Sequence, residues 1–473
     1  MSKFFGKNVN ALQTLNAHIK DVTCLEFWGN ALLVTGSSDK TIRVFKWIAG
    51  SGFTEDKSFS PLTGHKYAVT CVRISPQGAV LVSSSVDGTL ILWDLSTGER
   101  MHTIYQENGE AIRTCCFSPN GDFIATADDS GTVCIWSQNK SLIKILRYHE
   151  ETVYTVSFSP DSRILLSACN AGTIRFTIVD NETASESKFH RHKSLGMTEF
   201  DCAIDAAHDL GVSSADFSKI SHSDPLDQDT VIHTAVTCGN DQCIKIWRIY
   251  SLKGKKNFKS HRLVPDSTSY HESGTSVVYN TSLMNAECVQ IIPAHGCAVN
   301  YVRFNERATF ILSAGMDKSV KMWNSFGTCM KTLLGHSRYV TSLAVSSDSS
   351  IIASGSNDKS VIIWDLTSNL SIDSHIVEMK SVIFNIFQTE NNIPLELLCP
   401  ITNEIMNSPV IADDGFTYEK SAISEWFDRG KNASPMTNEE LQTKDLMENT
   451  DLKYKIEEFL KKMDFDAFDC NAD

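Results

Sequence analysis

Apolar and polar residues alternate with a period of two through most of residues 11–366, and turn-forming residues interrupt roughly every eight to twelve positions, which predicts a succession of short strands. The pattern returns in phase. "SSVDGTLILWDL" (84–95), "GNDQCIKIWRI" (239–249), "GMDKSVKMWNS" (315–325) and "SNDKSVIIWDL" (356–366) each place an Asp six residues before a Trp: Asp87 and Trp93, Asp241 and Trp247, Asp317 and Trp323, Asp358 and Trp364. Three weaker copies pair Asp39 with Phe45, Ser130 with Trp136 and Asn170 with Phe176, which makes seven. A His stands 27 or 28 residues before the aromatic in five copies, as His18, His65, His149, His295 and His336. His208 takes that role in the fifth copy, followed by a loop of extra residues, and Asn108 replaces the His in the third.

Four short strands per copy form a sheet that cannot bury both faces alone, so the copies must stack on one another. The repeats resemble the WD40 family over residues 11–366, which implies a seven-bladed β-propeller. The strand around "ALQTL" has the phase of the outer strand of the last blade and is expected to close the ring. In that family the loop His, the turn Asp, a strand Ser or Thr and the Trp form a buried hydrogen-bond network. That implies structural roles for His18, Asp39, His65, Asp87, Trp93, Trp136, His149, His208, Asp241, Trp247, His295, Asp317, Trp323, His336, Asp358 and Trp364. Phe45 and Phe176 lack the indole N–H, so the first and fourth networks should be shorter. Two insertions, about 182–200 and 249–288, interrupt the repeats. The second carries the basic run "KGKKNFKSHR" (253–262), readable as a solvated loop, a nucleic-acid contact or a nuclear signal.

Residues 367–392 are polar at both ends and read as a linker with a short helix that packs Val377, Val382, Ile383 and Phe387. A family combining WD repeats, a SAM domain and a U-box is known, but this stretch is too short for a SAM helical bundle.

Beyond residue 392 the pattern changes. "IPLELLCPIT" opens like a zinc-binding RING domain, yet Cys399 is followed by one further cysteine, Cys470, and no His occurs after His375. Two tetrahedral zinc sites need about eight ligands, so a metal is excluded on ligand count. The segment 393–463 resembles the U-box, carried by the LCPIT at 398–402, the M-x-x-PV at 406–410, the G-x-T-Y at 415–418, Trp426-Phe427, the SPMT at 434–437 and Asn449 before a terminal amphipathic helix. This implies a small α+β, zinc-free, RING-like fold with structural roles for Cys399, Pro400, Pro409, Gly415, Tyr418 and Asn449. Hydrogen bonds and ion pairs would replace the metals, with Glu404, Ser408, Asp413, Asp414, Glu419, Lys420, Arg429 and Asn432 as candidates. The core would draw on Leu398, Ile405, Val410, Tyr418, Ile423, Phe427, Leu441, Leu452, Ile456 and Phe459. Residues 464–473 form an acidic tail.

The resemblance implies an E3 ubiquitin ligase with no nucleophile or cofactor of its own, which holds a ubiquitin-charged conjugating enzyme (E2) near a substrate lysine while the propeller binds substrate. The family's E2-facing positions fall on Ile401, Trp426 and Pro435. At Asn438 many members carry a basic residue. On helical periodicity Trp426 is equally a core position, but Phe427, four after Ile423, fills the core slot and leaves Trp426 outside. The alternative is a scaffold whose U-box only binds or forms a homodimer.

Composition narrows the partners. Net charge is −14, with 8 Lys and Arg against 18 Asp and Glu in residues 393–473, which argues against nucleic acid as the main partner. No window approaches the roughly 18 apolar residues of a membrane span. The start shows no signal-peptide pattern, so a reducing cytoplasmic setting is expected, with the nucleus also open, and the fourteen cysteines are expected to be free thiols.

Overall fold

Strands that alternate this regularly pair with their sequence neighbours. In the computed structural model, residues 22–365 do so almost throughout. The structure describes residues 11–106, 108–179, 202–224, 229–252, 269–270, 277–280 and 284–366, then 397, 399–401, 406–414, 416–428, 432, 434, 441, 443–450 and 452–456. The chain divides into two compact units, Met1–Ser374 and His375–Asp473.

Among the described residues the first unit forms seven antiparallel sheets. The second is typical: Val69–Ile74, Val80–Ser85, Thr89–Asp94 and Arg100–Tyr105, in sequence order from the inner to the outer edge. Each sheet packs its first strand against the first strands of two neighbours, and the seventh returns to the first, so the ring is closed. Seven apolar clusters fill the spaces between consecutive sheets; one joins Ile42, Val44 and Leu62 of the first blade to Val69, Leu81 and Trp93 of the second. The seventh sheet takes its outer strand from Ala11–Leu15, which pairs with Val361–Asp365 as expected. The unit is a β-propeller.

Two features were not foreseen. The extra residues after His208 lengthen a hairpin, Val212–Ser223 against Thr230–Gly239, rather than forming only a loop, because the alternation continues through Ser221–Ser223. The 249–288 insertion is partly strand. Cys243–Leu252 and Met284–Pro293 continue their pairing into it, and Val277–Asn280 adds to the edge strand Cys202–Asp205 of the fourth sheet, with Ser269–Tyr270 beyond. The run 253–262, the insertion at 182–200 and the linker 367–392 lie outside the described residues.

The histidine networks are present with two substitutions. In the fifth, sixth and seventh blades the His Nδ1 lies 2.9 to 3.0 Å from the Asp carboxylate, and Nε2 lies 2.7 to 2.8 Å from a Ser or Thr hydroxyl that also accepts the Trp indole N–H at 2.8 Å. A ring donating from Nδ1 leaves Nε2 as an acceptor, so the hydroxyl donates to it and its lone pair takes the indole proton. In the second blade His65 Nδ1 sits nearer Thr89 Oγ1, at 3.0 Å, than Asp87, at 3.4 Å. The first blade stops at His18, Asp39 and Thr35 because Phe45 has no donor.

In the third blade Asn108 does not replace the His. Gln106 reaches Thr126 and Asp128, and Trp136 donates to Thr126 at 3.0 Å; Asp128, two residues before the expected Ser130, supplies the carboxylate. In the fourth blade Asn170 turns away to Glu151, so His149 has no carboxylate, while the Tyr148 hydroxyl reaches Ser167 at 3.1 Å where Phe176 offers nothing. Burial, reinforced by Arg175, lowers the His149 pKa from 6.5 to about 3.

Across the ring Glu26 of the first blade takes two bonds of 2.9 Å from Arg303 of the sixth and one of 3.3 Å from Arg73 of the second. Burial raises the Glu26 pKa, and the guanidinium charges outweigh it and hold the carboxyl below the usual range.

The turn after each Asp position needs a left-handed residue. Gly88, Gly131 and Gly172 fill it in three blades, whereas Lys40, Gln242, Lys318 and Lys359 do so in the others at φ of 69° to 75°. An L-residue there costs about 1 kcal/mol. At Gly131 and Gly172 a Cβ would come within 2.4 and 2.0 Å of the His149 and His208 carbonyl oxygens, so those turns admit only glycine.

His149 generates a prediction. Between pH 6.5 and about 3 the unfolded chain binds a proton at this residue that the folded chain does not, so stability should fall as pH falls. The slope approaches about 1.4 kcal/mol per pH unit. Replacing His149 with Gln, the side chain that holds the equivalent place in the third blade, should flatten the acid limb of a plot of urea midpoint against pH by one proton. An unchanged limb would mean that His149 is protonated in the folded state.

Candidate functional site

The C-terminal unit builds its site from a small core and two pinned loops. Leu397, Cys399, Met406, Val410, Ala412, Tyr418, Ala422, Ile423, Leu452 and Ile456 form the buried cluster. Pro409–Ile411 pairs with Thr417–Glu419 on one side and Met447–Glu448 on the other, and the helix Lys420–Asp428 follows directly. Pro409 is buried and Pro400 half-buried. Of the expected core, Val410, Tyr418, Ile423, Leu452 and Ile456 are buried, and Leu441 is half-buried. Leu398, Ile405 and Phe459 lie outside the described residues.

Cys399 is fully buried, and its sulfur accepts the amide protons of Ile401 at 3.4 Å and Glu419 at 3.1 Å. The thiol thus ties the first loop to the end of a strand. Among the described residues no group of three or more His, Cys, Asp or Glu is arranged to hold a metal.

Carboxylates complete the pinning. Glu419 Oε2 accepts the amides of Asn407 at 2.7 Å and Ser408 at 3.0 Å, and the Lys420 amide donates to the Ser408 carbonyl at 3.0 Å, which fixes the first loop to the helix start. Asp414 accepts the Tyr418 hydroxyl at 2.7 Å, the Phe416 amide at 3.0 Å and the Ser434 hydroxyl. Asp413 accepts the Thr443 amide at 3.1 Å, and the Leu441 amide donates to the Asn432 carbonyl at 2.9 Å. Asn449 bonds Thr417 at 2.9 Å through its side-chain amide and accepts the Leu452 amide at 3.0 Å, capping the terminal helix. Ser434, Thr417 and the Tyr418 hydroxyl were not in the expected set; polar residues in a loop carry no sequence signal of their partner. Glu404, Arg429, Gly415, Pro435 and Asn438 lie outside the described residues.

The helix presents Ala422 and Ile423 to the core. Residues four further on, Trp426 and Phe427, continue that face one turn beyond, and both are half-buried against the cluster. Phe427 is therefore not the fully buried core residue expected from periodicity, and Trp426 is not wholly outside. Lys444 Nζ lies 5.5 Å from the Phe427 ring centroid. Ile401 is half-buried on the edge of the same cluster. An apolar rim thus borders the packed core.

Comparison with known proteins matches this unit, over residues 393–464, to the U-box domain. The WD domain, G-beta repeat, matches residues 10–46, 56–94, 98–137, 140–176, 286–324 and 327–365. The chain combines WD40 repeats with a U-box. The six matched repeats leave out the fifth sheet, which departs from the pattern through its lengthened hairpin. Similar along nearly the whole length are proteins named WD repeat, SAM and U-box domain-containing protein 1. The Danio rerio protein is 27% identical over 538 aligned positions, covering 95% of this chain and 98% of the relative. That of Gallus gallus is 29% identical, covering 95% and 98%, and that of Homo sapiens 28%, covering 96% and 99%.

The U-box generates a stability prediction. Glu419→Gln keeps the shape of the side chain and removes its charge, weakening two charge-assisted bonds to the first loop. It should lower the stability of the U-box by about 1.5–3 kcal/mol. Amide hydrogen exchange of the segment Met406–Asp428 in the full-length chain as urea rises, against wild type, checks this; unchanged protection would mean that the first loop is held by something other than Glu419.

Proposed function

We propose that this protein is an E3 ubiquitin ligase in which the U-box recruits a ubiquitin-charged E2 and the propeller binds the substrate. The observation that carries this reading is the apolar rim of Ile401 and Trp426, half-exposed beside a fully packed core in a domain matched to the U-box. Half-buried aliphatic and Trp side chains are the residues that concentrate binding energy in small interfaces. Pro435, in the second loop, joins them in this reading.

The chemistry asks little of the chain. The substrate lysine amine attacks the thioester carbonyl of the charged E2, the carbon–sulfur bond breaks, the E2 cysteine leaves as its thiol and an isopeptide bond forms. This protein contributes proximity and a restricted pose for the conjugate, which accounts for the rate gain without a nucleophile here. The buried Cys399 sulfur, with two amides donating to it, is positioned for structure and not for attack.

Autoubiquitination with purified E1, a panel of E2s and ubiquitin tests the proposal. Wild type should form chains with at least one E2, and Ile401→Ala or Trp426→Ala should reduce the rate by about tenfold or more. Absence of chains with every E2 would leave the scaffold reading, whereas undiminished chains in both variants would move the E2 site elsewhere.

A further inference from the structure

The histidine loops and the Asp turns emerge on one face of the ring. In every blade they are tied by the same backbone bond, such as Ser38 N to Asp21 O at 2.9 Å and Asn357 N to Tyr339 O at 3.1 Å. Charge is unevenly distributed around that face. The arc of the sixth, seventh, first and second blades exposes Lys318, Lys359, Arg338, Lys20, Lys40 and Lys66. Its aspartates at 317, 358, 39 and 87 are engaged by histidines and turn amides within the networks, and one further acid, Asp21, lies half-buried beside Lys20. The third, fourth and fifth blades instead expose Glu110, Glu150, Glu151 and Asp209, and Asp129 is held by Arg113 at 2.5 and 2.7 Å.

Apolar surface is interleaved with the basic arc. Tyr67 is 59% exposed, Tyr339 48% and Ile19 73%, and Lys40 Nζ lies 5.9 Å from the Tyr67 ring centroid. Lys40, Lys318 and Lys359 occupy the left-handed turn position, where glycine serves other blades without strain. Four blades retain a non-glycine residue at this strained turn, and the three of them on this arc all carry Lys, while the fourth, on the acidic side, carries Gln242.

We infer that the basic arc binds an extended acidic segment of a partner protein, its carboxylates paired with these lysines and Arg338 and an apolar side chain resting on Tyr67 or Tyr339. This rests on reading the propeller as the partner-binding platform and gives that platform a ligand chemistry. The acids of a peptide can be spaced to meet the basic arc alone, whereas the uniform phosphodiester charge of a nucleic acid crossing the face would also meet the acidic arc. Opposed arcs also orient the ligand, since like charges juxtaposed on the acidic side suppress the reversed pose.

Fluorescence anisotropy with the full-length protein tests this. The probes are a labelled peptide of alternating Asp-Glu-Phe units, its counterpart with Lys in place of every acid, and an oligouridylate RNA. The acidic peptide should bind, more weakly as salt rises. The double variant Lys40→Glu/Lys359→Glu should weaken it about tenfold, roughly 1.4 kcal/mol. Lys66→Glu/Arg338→Glu, which leaves the strained turns untouched, should act in the same direction, and Glu150→Lys/Glu151→Lys should not weaken binding. Equal binding of the two peptides, no loss in either basic-arc variant, or a preference for the RNA would overturn the inference. The readout is binding and not transfer, so a ligase assay that fails leaves these outcomes intact, and chain formation by a protein whose arc binds nothing would overturn this inference alone.

Discussion

A four-stranded antiparallel sheet of this sequence has two apolar faces, and neither can be left in water. Residues such as Leu81, Val82, Leu90 and Ile91 alternate between faces and all are buried, because each sheet serves two interfaces at once. Burial on both sides requires two neighbours for every sheet, so the stack has to close. Closure is what makes the Ala11–Leu15 strand indispensable: it completes a sheet whose other three strands come from the far end of the repeats. Glu26, reaching across the ring to Arg303, adds a polar tie in which two guanidinium groups share one carboxylate.

Within that frame the polar networks show how much substitution a repeat tolerates. What the blades share is a buried hydroxyl bonded to a side chain of the preceding loop, and the partners are interchangeable. Gln106 does this where no His is present, and Tyr148 where no indole is present. The constraint is hydrogen-bond satisfaction in a dry setting and not the identity of any one residue. The same constraint governs the U-box, where Glu419 and Asp414 each gather several donors and stand in for the bonds that a metal would otherwise provide. Both units therefore spend their rigid polar interior on architecture, and the residues left for recognition are those on loops and rims.

The sequence by itself determined the number of repeats, their phase, the closing strand and about half of the U-box core. These follow from one-dimensional facts: a period, a phase and a spacing. All six histidines assigned from spacing reach a buried Ser or Thr hydroxyl, and four of them, His18, His208, His295 and His336, also pair with the expected Asp within 3.0 Å.

Only the tertiary structure decided which partner each polar group takes. Gln106 in place of Asn108, Asp128 in place of Ser130 and Asp414 bonded to Ser434 depend on distances between segments, and nothing local in the sequence encodes them. It also decided the exposure of Trp426 and Phe427. Periodicity places both near the core, but the direction of the ridge formed by Ala422 and Ile423, set by packing against Val410, Tyr418 and Leu452, leaves each of them half-covered. The gathering of six exposed cations onto one arc is likewise a consequence of ring closure, which brings the sixth and seventh repeats beside the first and second although they are far apart in the chain.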